Sequence, residues 1–204
     1  MDSLCFFTMT SPTEKSDKIH YPVFPLIADR RSIRAYDSRT IEKEKIHSLF
    51  EAVRWAPSSS NEQPWIYLYA TAEQPELWNK MFDALADGNK LWAQRAPLLI
   101  LALARKTFRK NGNENKYALY DIGGANSFLA LQAVHLGLQV RQMAGFKSDV
   151  AIQNLNIPED LVPAVFIAVG YPGEVSALPE TLQVRETAPR ERILQQEFVR
   201  NVAF

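Results

Sequence analysis

Residues 98–104 (LLILALA) are apolar without interruption and follow directly on Pro97. A strand with one face in water alternates apolar and polar positions, so this run predicts a strand covered on both faces rather than an exposed hairpin edge. Such a strand needs a layer of structure on each side. Residues 165–170 read the same way. With 204 residues and 47% hydrophobic composition, the chain buries enough surface to fold without a structural metal. Its single cysteine, Cys5, closes no internal disulfide and reads as an incidental thiol.

Helical patterns alternate with the strands. Residues 26–32 predict a short helix that ends at an arginine-rich turn. Thr40 is the expected N-cap of the next helix, with Glu42 and Glu44 in a first turn that suits carboxylates. Ile46, Leu49, Phe50 and Val53 then recur at helical spacing, and Pro57 ends the pattern. Residues 65–70 predict a strand. Pro75 opens a helix whose inner face is Leu77, Trp78, Met81, Phe82 and Leu85. A polar loop at 106–115 leads to a long helix over 117–136, stopped by Gly137. Residues 138–143 predict a strand, and Ser148 caps a helix to Leu155. Residues 171–187 hold no period, and 190–199 regain a helical one. The expected fold class is α+β in three layers, α/β/α, with a flexible extension at 1–20 and one domain at 21–204.

Charge and patterning exclude several functions. Lysine and arginine total 23, as do aspartate and glutamate, whereas proteins that grip a nucleic-acid backbone usually carry a basic excess. No apolar run approaches the roughly 20 residues of a membrane-spanning helix. Leu4, Cys5, Phe6 and Phe7 form a cluster too short for a signal peptide. Asp2 stands where such peptides carry positive charge, and no small-residue cleavage site follows, so a cytoplasmic location is expected. Residues 10–18 read as polar and loose, and Met9 offers a second start position.

The usual catalytic constellations are missing. His20, His47 and His135 have no partner at metal-ligand spacing, and there is no nucleophile elbow, phosphate loop or G-x-G-x-x-G. Gly123-Gly124, inside a helical pattern, reads as a place where another helix approaches closely. An enzyme of this kind takes its reactive group from a cofactor. Two clusters offer binding chemistry. Arg30-Arg31-Ser32-Ile33-Arg34 packs three guanidinium groups into five residues, which suits a phosphate; the alternative is a solvated turn paired with Asp29 and Asp37. Residues 56–65 (APSSSNEQPW) concentrate hydroxyls and amides, which suits a polar heteroaromatic ligand; the alternative is ordinary turn chemistry.

Taken together and in order, these clusters resemble the FMN-dependent nitroreductase family. The likeness rests on R-R-S-x-R-x-Y from Arg30, P-S-S-x-N-x-Q-P-W from Pro57, Ala96-Pro97 before the apolar strand, and the long helix from Tyr117. It extends through Gly137-Leu138, Met143-Ala144-Gly145-Phe146, Gly170-Tyr171-Pro172 and Arg190-x-Arg192. The resemblance implies a mixed, mostly antiparallel sheet flanked by helices and a homodimer with FMN at the subunit interface. It also implies ping-pong hydride transfer from NAD(P)H through flavin N5 to a nitroaromatic, quinone or similar acceptor. By the same resemblance Arg30, Arg31 and Ser32 hold the phosphate and ribityl chain, and Arg34 reaches the N1/O2 edge of the ring. Pro57, Ser58, Ser59 and Asn61 contact the flavin held mainly by the other subunit, and Asn89 contacts the ring. Met143, Ala144 and Gly145 form the turn on its far side, with the Ala144 N–H toward N5, and Arg190 and Arg192 close over the phosphate. Relatives with oxygen-dependent flavin fragmentation, dehalogenation or non-catalytic flavin binding leave those chemistries open.

Overall fold

The computed structural model describes residues 14–203, and the expectations about Met9, Cys5 and the apolar cluster around it lie outside them. In chain order the elements are β1 (Lys15–Ser16), α1 (Pro25–Asp29), α2 (Lys43–Arg54), β2 (Trp65–Thr71), α3 (Pro75–Asp83), α4 (Asp87–Ala93) and β3 (Leu98–Arg105). There follow α5 (Ala118–His135), β4 (Gln139–Met143), α6 (Ser148–Leu155), β5 (Leu161–Gly170), α7 (Glu180–Thr187) and β6 (Arg192–Ile193). The described residues gather into a central unit, Phe24–Glu186, and a terminal unit of residues 14–23 and 187–203.

The central unit is built on a four-stranded sheet of order β2-β3-β5-β4, antiparallel at every pair. The uninterrupted apolar run is the inner strand β3, buried from Leu98 to Ala104. Because successive side chains point to opposite faces, its residues divide between two cores. Leu99, Leu101 and Leu103 join Met81, Leu85, Trp92 and Phe166 on the side of α3, α4 and α6. Leu98, Ile100, Ala102 and Ala104 join Leu49 and Val53 of α2 and Ile122, Ala125 and Leu129 of α5. Each fully buried leucine contributes roughly 1.5–3 kcal/mol relative to exposure. The three layers thus follow from a single strand having no wet face.

Several boundaries differ from the sequence expectation. The helix opening at Pro75 ends at Asp83, before Leu85 of its expected inner face, and a separate helix, α4, follows. The Ala84 carbonyl accepts the Lys147 N–H (2.7 Å), and the Ala86 N–H is given to the Gly145 carbonyl (3.1 Å), so backbone groups that would have continued the helix are used elsewhere. Thr40 is not a cap: α2 begins later, with Glu42 at the N-cap position and no side-chain capping bond. Ser148 is the first helical residue of α6, and Lys147 holds the cap position. Strand β5 starts four residues before 165 and includes Pro163, which pairs with Leu103 at a register shift of the ladder. Helix α7 lies in the stretch read as aperiodic. Gly137 ends α5 with φ 76°, as expected.

In the terminal unit β1 and β6 pair antiparallel, Lys15 opposite Ile193 and Ser16 opposite Arg192. Lys15 and Ser16, expected to be loose, are ordered by this pairing, and the Leu194 N–H donates to the Glu14 carbonyl (3.0 Å). The helical pattern expected over 190–199 is replaced by β6 and a single 3-10 turn, Gln195–Glu197. No helix among the described residues is long and apolar enough to cross a membrane.

Candidate functional site

Helix α1 ends at Asp29, short of the expected 32, because the following residues are drawn into an extended course by distant partners. The Arg31 N–H donates to Gln139 Oε1 (2.9 Å), and the Ser32 carbonyl accepts Arg141 Nη1 (2.5 Å). Arg30 Nη1 donates to Ser32 Oγ (3.2 Å). Glu186 of α7 then takes the Arg34 N–H (2.6 Å) and the Ala35 N–H (3.1 Å) on one oxygen and Arg34 Nη1 (3.2 Å) on the other. The two side chains are 14% and 7% exposed. Just beyond, the buried Tyr36 hydroxyl donates to the Ala168 carbonyl (3.1 Å), and burial pushes the phenol pKa upward. Gly173 permits this docking: a Cβ there would lie 2.4 Å from the Tyr36 carbonyl carbon.

The pairing of the arginine run with Asp29 and Asp37 is not what the structure forms. Asp37 Oδ1 accepts the Arg39 N–H (2.9 Å), and the carboxylate on Arg34 is Glu186. Burial, and next to it the charge of Arg34, hold the Arg141 guanidinium below its ordinary pKa, with Arg185 acting the same way and Tyr36 and Glu186 opposing. Its guanidinium carbon stands 5.5 Å from the centre of the Trp92 ring. Arg30 and Ser32 line a cleft of about 330 Å³ with Ile27, Ser127, Leu131 and Gln142, between α1, α5 and β4. That volume lies at the lower end of the roughly 300–1,000 Å³ usual for ligand sites.

The polar loop after α2 is a compact turn with a 3-10 segment, Ser59–Asn61. Ser58 Oγ accepts the Gln63 N–H (2.9 Å), and Gln63 Nε2 donates to the Asn61 carbonyl (3.1 Å). The Ser59 N–H is shared between both carboxylate oxygens of Asp121 (3.2 and 3.3 Å), a residue in the first turn of α5 and only 4% exposed. Pro57 and Asn61 are exposed, and Ser58 and Ser59 are half-buried.

Asn89 and the turn after β4, 56 residues apart, are brought together. Asn89 Nδ2 donates to the Gly145 carbonyl (2.9 Å), which also takes the Ala86 N–H. Met143 is buried, and Ala144 and Gly145 are exposed. A Cβ on Gly145 would stand 3.1 Å from Asn89 Nδ2. Arg190 and Arg192 belong to the terminal unit, where Arg192 is exposed on β6 and its Nη1 donates to the Glu191 carbonyl (2.8 Å).

Sequence reasoning missed Glu186, Arg141 and Asp121. Asp121 was visible as an acid near the start of a predicted helix, and Arg141 as a polar residue within a predicted strand. Glu186 lies in a stretch without periodicity and carried no signal.

The sequence profile of the nitroreductase family matches residues 27–171. An Archaeoglobus fulgidus protein provisionally named an NADH dehydrogenase/NAD(P)H nitroreductase is 30% identical over 150 residues, covering 72% of this chain and 83% of its own. The FMN reductase [NAD(P)H] of Bacillus subtilis is 25% identical over 198 residues, 86% of this chain and 76% of that protein. A crystal structure described as an oxidoreductase containing FMN superposes with a TM-score of 0.85 at 31% identity, covering 96% of this chain and 98% of the other. With the family profile spanning more than two thirds of its residues, the chain belongs to the nitroreductase family.

Proposed function

We propose that the protein is an FMN-dependent oxidoreductase that works as a homodimer, taking reducing equivalents from NAD(P)H and passing them to a nitroaromatic, a quinone or a similar acceptor. The observation that carries this reading is the cleft of about 330 Å³ lined by Arg30 and Ser32, with the Arg141 guanidinium bonded to the Ser32 carbonyl. Such a place suits a small anion with a flat polar ring, and relatives named for FMN and NAD(P)H support the same choice.

When bound, FMN would supply two-electron redox chemistry between NAD(P)H and the acceptor, through its N5 position and in ping-pong order. Arg30, Arg31 and Ser32 would hold the phosphate and ribityl chain, and Arg190 and Arg192 would close over the phosphate. Arg34 would stand at the N1/O2 edge, its charge offsetting the negative charge of the reduced ring in a poorly hydrated pocket. Asn89, Met143, Ala144 and Gly145 would border the ring, with the Ala144 N–H as the donor toward N5. Ala144 and Gly145 are exposed at this turn, as contact with a flat ligand requires. No side chain is required as acid or base, and water supplies protons. Pro57, Ser58, Ser59 and Asn61 would reach the flavin of the second subunit. The outer face of α5 supports that pairing: Tyr120 is 82% exposed, Leu119 and Phe128 stand out beside it, and Gly123 and Gly124 have open space where a Cβ would be.

The test is the absorption spectrum of the purified protein reconstituted with FMN and titrated anaerobically with NADH or NADPH. Bound flavin bleached by one or both nucleotides, and weaker flavin binding in Arg34→Ala, are expected. A protein that retains no flavin overturns the reading.

A further inference from the structure

Within four positions of the loop after α2, three residues other than glycine have left-handed backbone: Ser60 (φ 54°), Asn61 (φ 55°) and Gln63 (φ 51°). Side chains disfavour that region, asparagine less than most, so this stretch does not adopt the shape from local preference. Strain of this kind persists where the surroundings over-determine it, and it concentrates at ligand clamps.

Two residues from outside the loop supply the constraint. Asp121 holds the Ser59 N–H from below. Arg109 holds the other end: its N–H donates to Glu62 Oε1 (2.8 Å), Nη1 to the Glu62 carbonyl (3.2 Å) and Nη2 to the Gln63 carbonyl (3.4 Å). A planar guanidinium spans two successive carbonyls, which a lysine ammonium does not. Arg109 is itself presented by a tight turn, in which the Phe108 N–H donates to the Asn113 carbonyl (2.8 Å), Thr107 pairs with Glu114, and Gly112 takes φ 72°.

We infer that Arg109 and Asp121 are positioning residues that hold residues 58–63 in the shape that receives FMN, so that the short turn between β3 and α5 sets cofactor affinity. This rests on the flavin reading given above for Ser58, Ser59 and Asn61.

The test combines FMN titration of the flavin-stripped full chain, read by flavin fluorescence, with hydrogen exchange at amides 59–63. Arg109→Ala and Asp121→Ala are each expected to weaken FMN binding about tenfold. Both should speed exchange at 59–63 and leave the melting temperature of the flavin-free protein within about 4 °C of wild type. Arg109→Lys, which keeps the charge without the fork, should recover only part of the affinity, and Asp121→Asn, which keeps an acceptor oxygen, most of it. Arg30→Ala should weaken binding without changing exchange in the loop. Wild-type affinity and exchange in Arg109→Ala overturn the inference, as does a general loss of stability with faster exchange throughout. A wild-type protein that binds no FMN overturns the flavin reading and this inference with it, whereas equal binding by wild type and variants overturns the inference alone.

Discussion

Residues 30–36 and residues 57–64 are the two segments proposed above to contact FMN, yet they are shaped by different means. The first runs extended and takes its course from Gln139, Arg141 and Glu186, partners 108 to 152 positions away. The second folds back on itself through bonds spanning two to five residues, with Asp121 and Arg109 completing it from elsewhere. A segment with few local bonds depends heavily on each distant one, whereas the turn divides its support between several short-range bonds and two outside anchors, so that cutting one short-range bond costs less. Charge sharpens the contrast. The extended segment carries a nearly buried ion pair, and the turn is held by hydrogen bonds in which one partner is usually a neutral backbone group.

The most severe way to break this comparison is Glu186→Ala. It removes the acceptor of two N–H groups and leaves the Arg34 guanidinium without its carboxylate in a site of low exposure. A loss of about 3–5 kcal/mol is expected in urea unfolding, and a loss below about 1 kcal/mol would mean that Glu186 does not hold the segment. In the turn, Ser58→Ala removes the oxygen that accepts the Gln63 N–H and should cost about 1 kcal/mol by the same measurement. A cost equal to that of Glu186→Ala would erase the distinction.

The smallest effect concerns how the extended segment continues. The Asp37 N–H donates to the Tyr171 carbonyl (3.0 Å), the Arg39 guanidinium lies 3.5 Å from the Tyr171 ring centre, and the Tyr171 hydroxyl donates to Glu42 Oε2 (2.5 Å). That bond, foremost, holds the Glu42 carboxyl down to about 2 from an ordinary 4.5, with Lys45 adding to it. A carboxyl lowered on folding contributes stability that is fully present above its unfolded value and is lost as the pH falls through its folded one. Tyr171→Phe should therefore be slightly less stable than wild type above pH 4.5, and the difference should shrink between pH 4.5 and 2. Glu42 is exposed, so solvent screens the effect. A difference that grows in acid would show that another group dominates.

Much of the fold was legible in advance because its signals are local. The apolar run of β3, the aromatic strand β2 after Pro64 and the stop at Gly137 express preferences of adjacent residues, and they fall where expected. The candidate site was legible as chemistry: the arginine run and the serine-asparagine loop announced their donors. Their shapes were not. Nothing in residues 58–63 distinguishes left-handed from ordinary backbone, and nothing in residues 180–187 marks Glu186 as the anchor of Arg34.

By itself, the sequence determined that a doubly covered strand must sit between two helical layers, because seven apolar residues in a row leave no face for water. It also determined that guanidinium and amide groups would be available for an anionic, ring-bearing ligand, since those groups keep their hydrogen-bonding character wherever they are placed. Tertiary structure alone decided the strand order, the break between α3 and α4, the ion pair of Arg34 with Glu186 and the held form of the loop after α2. Each of these rests on a bond between residues far apart in the chain. The free energy of such bonds exceeds local preferences, which amount to about 1 kcal/mol per residue, and no local period records them.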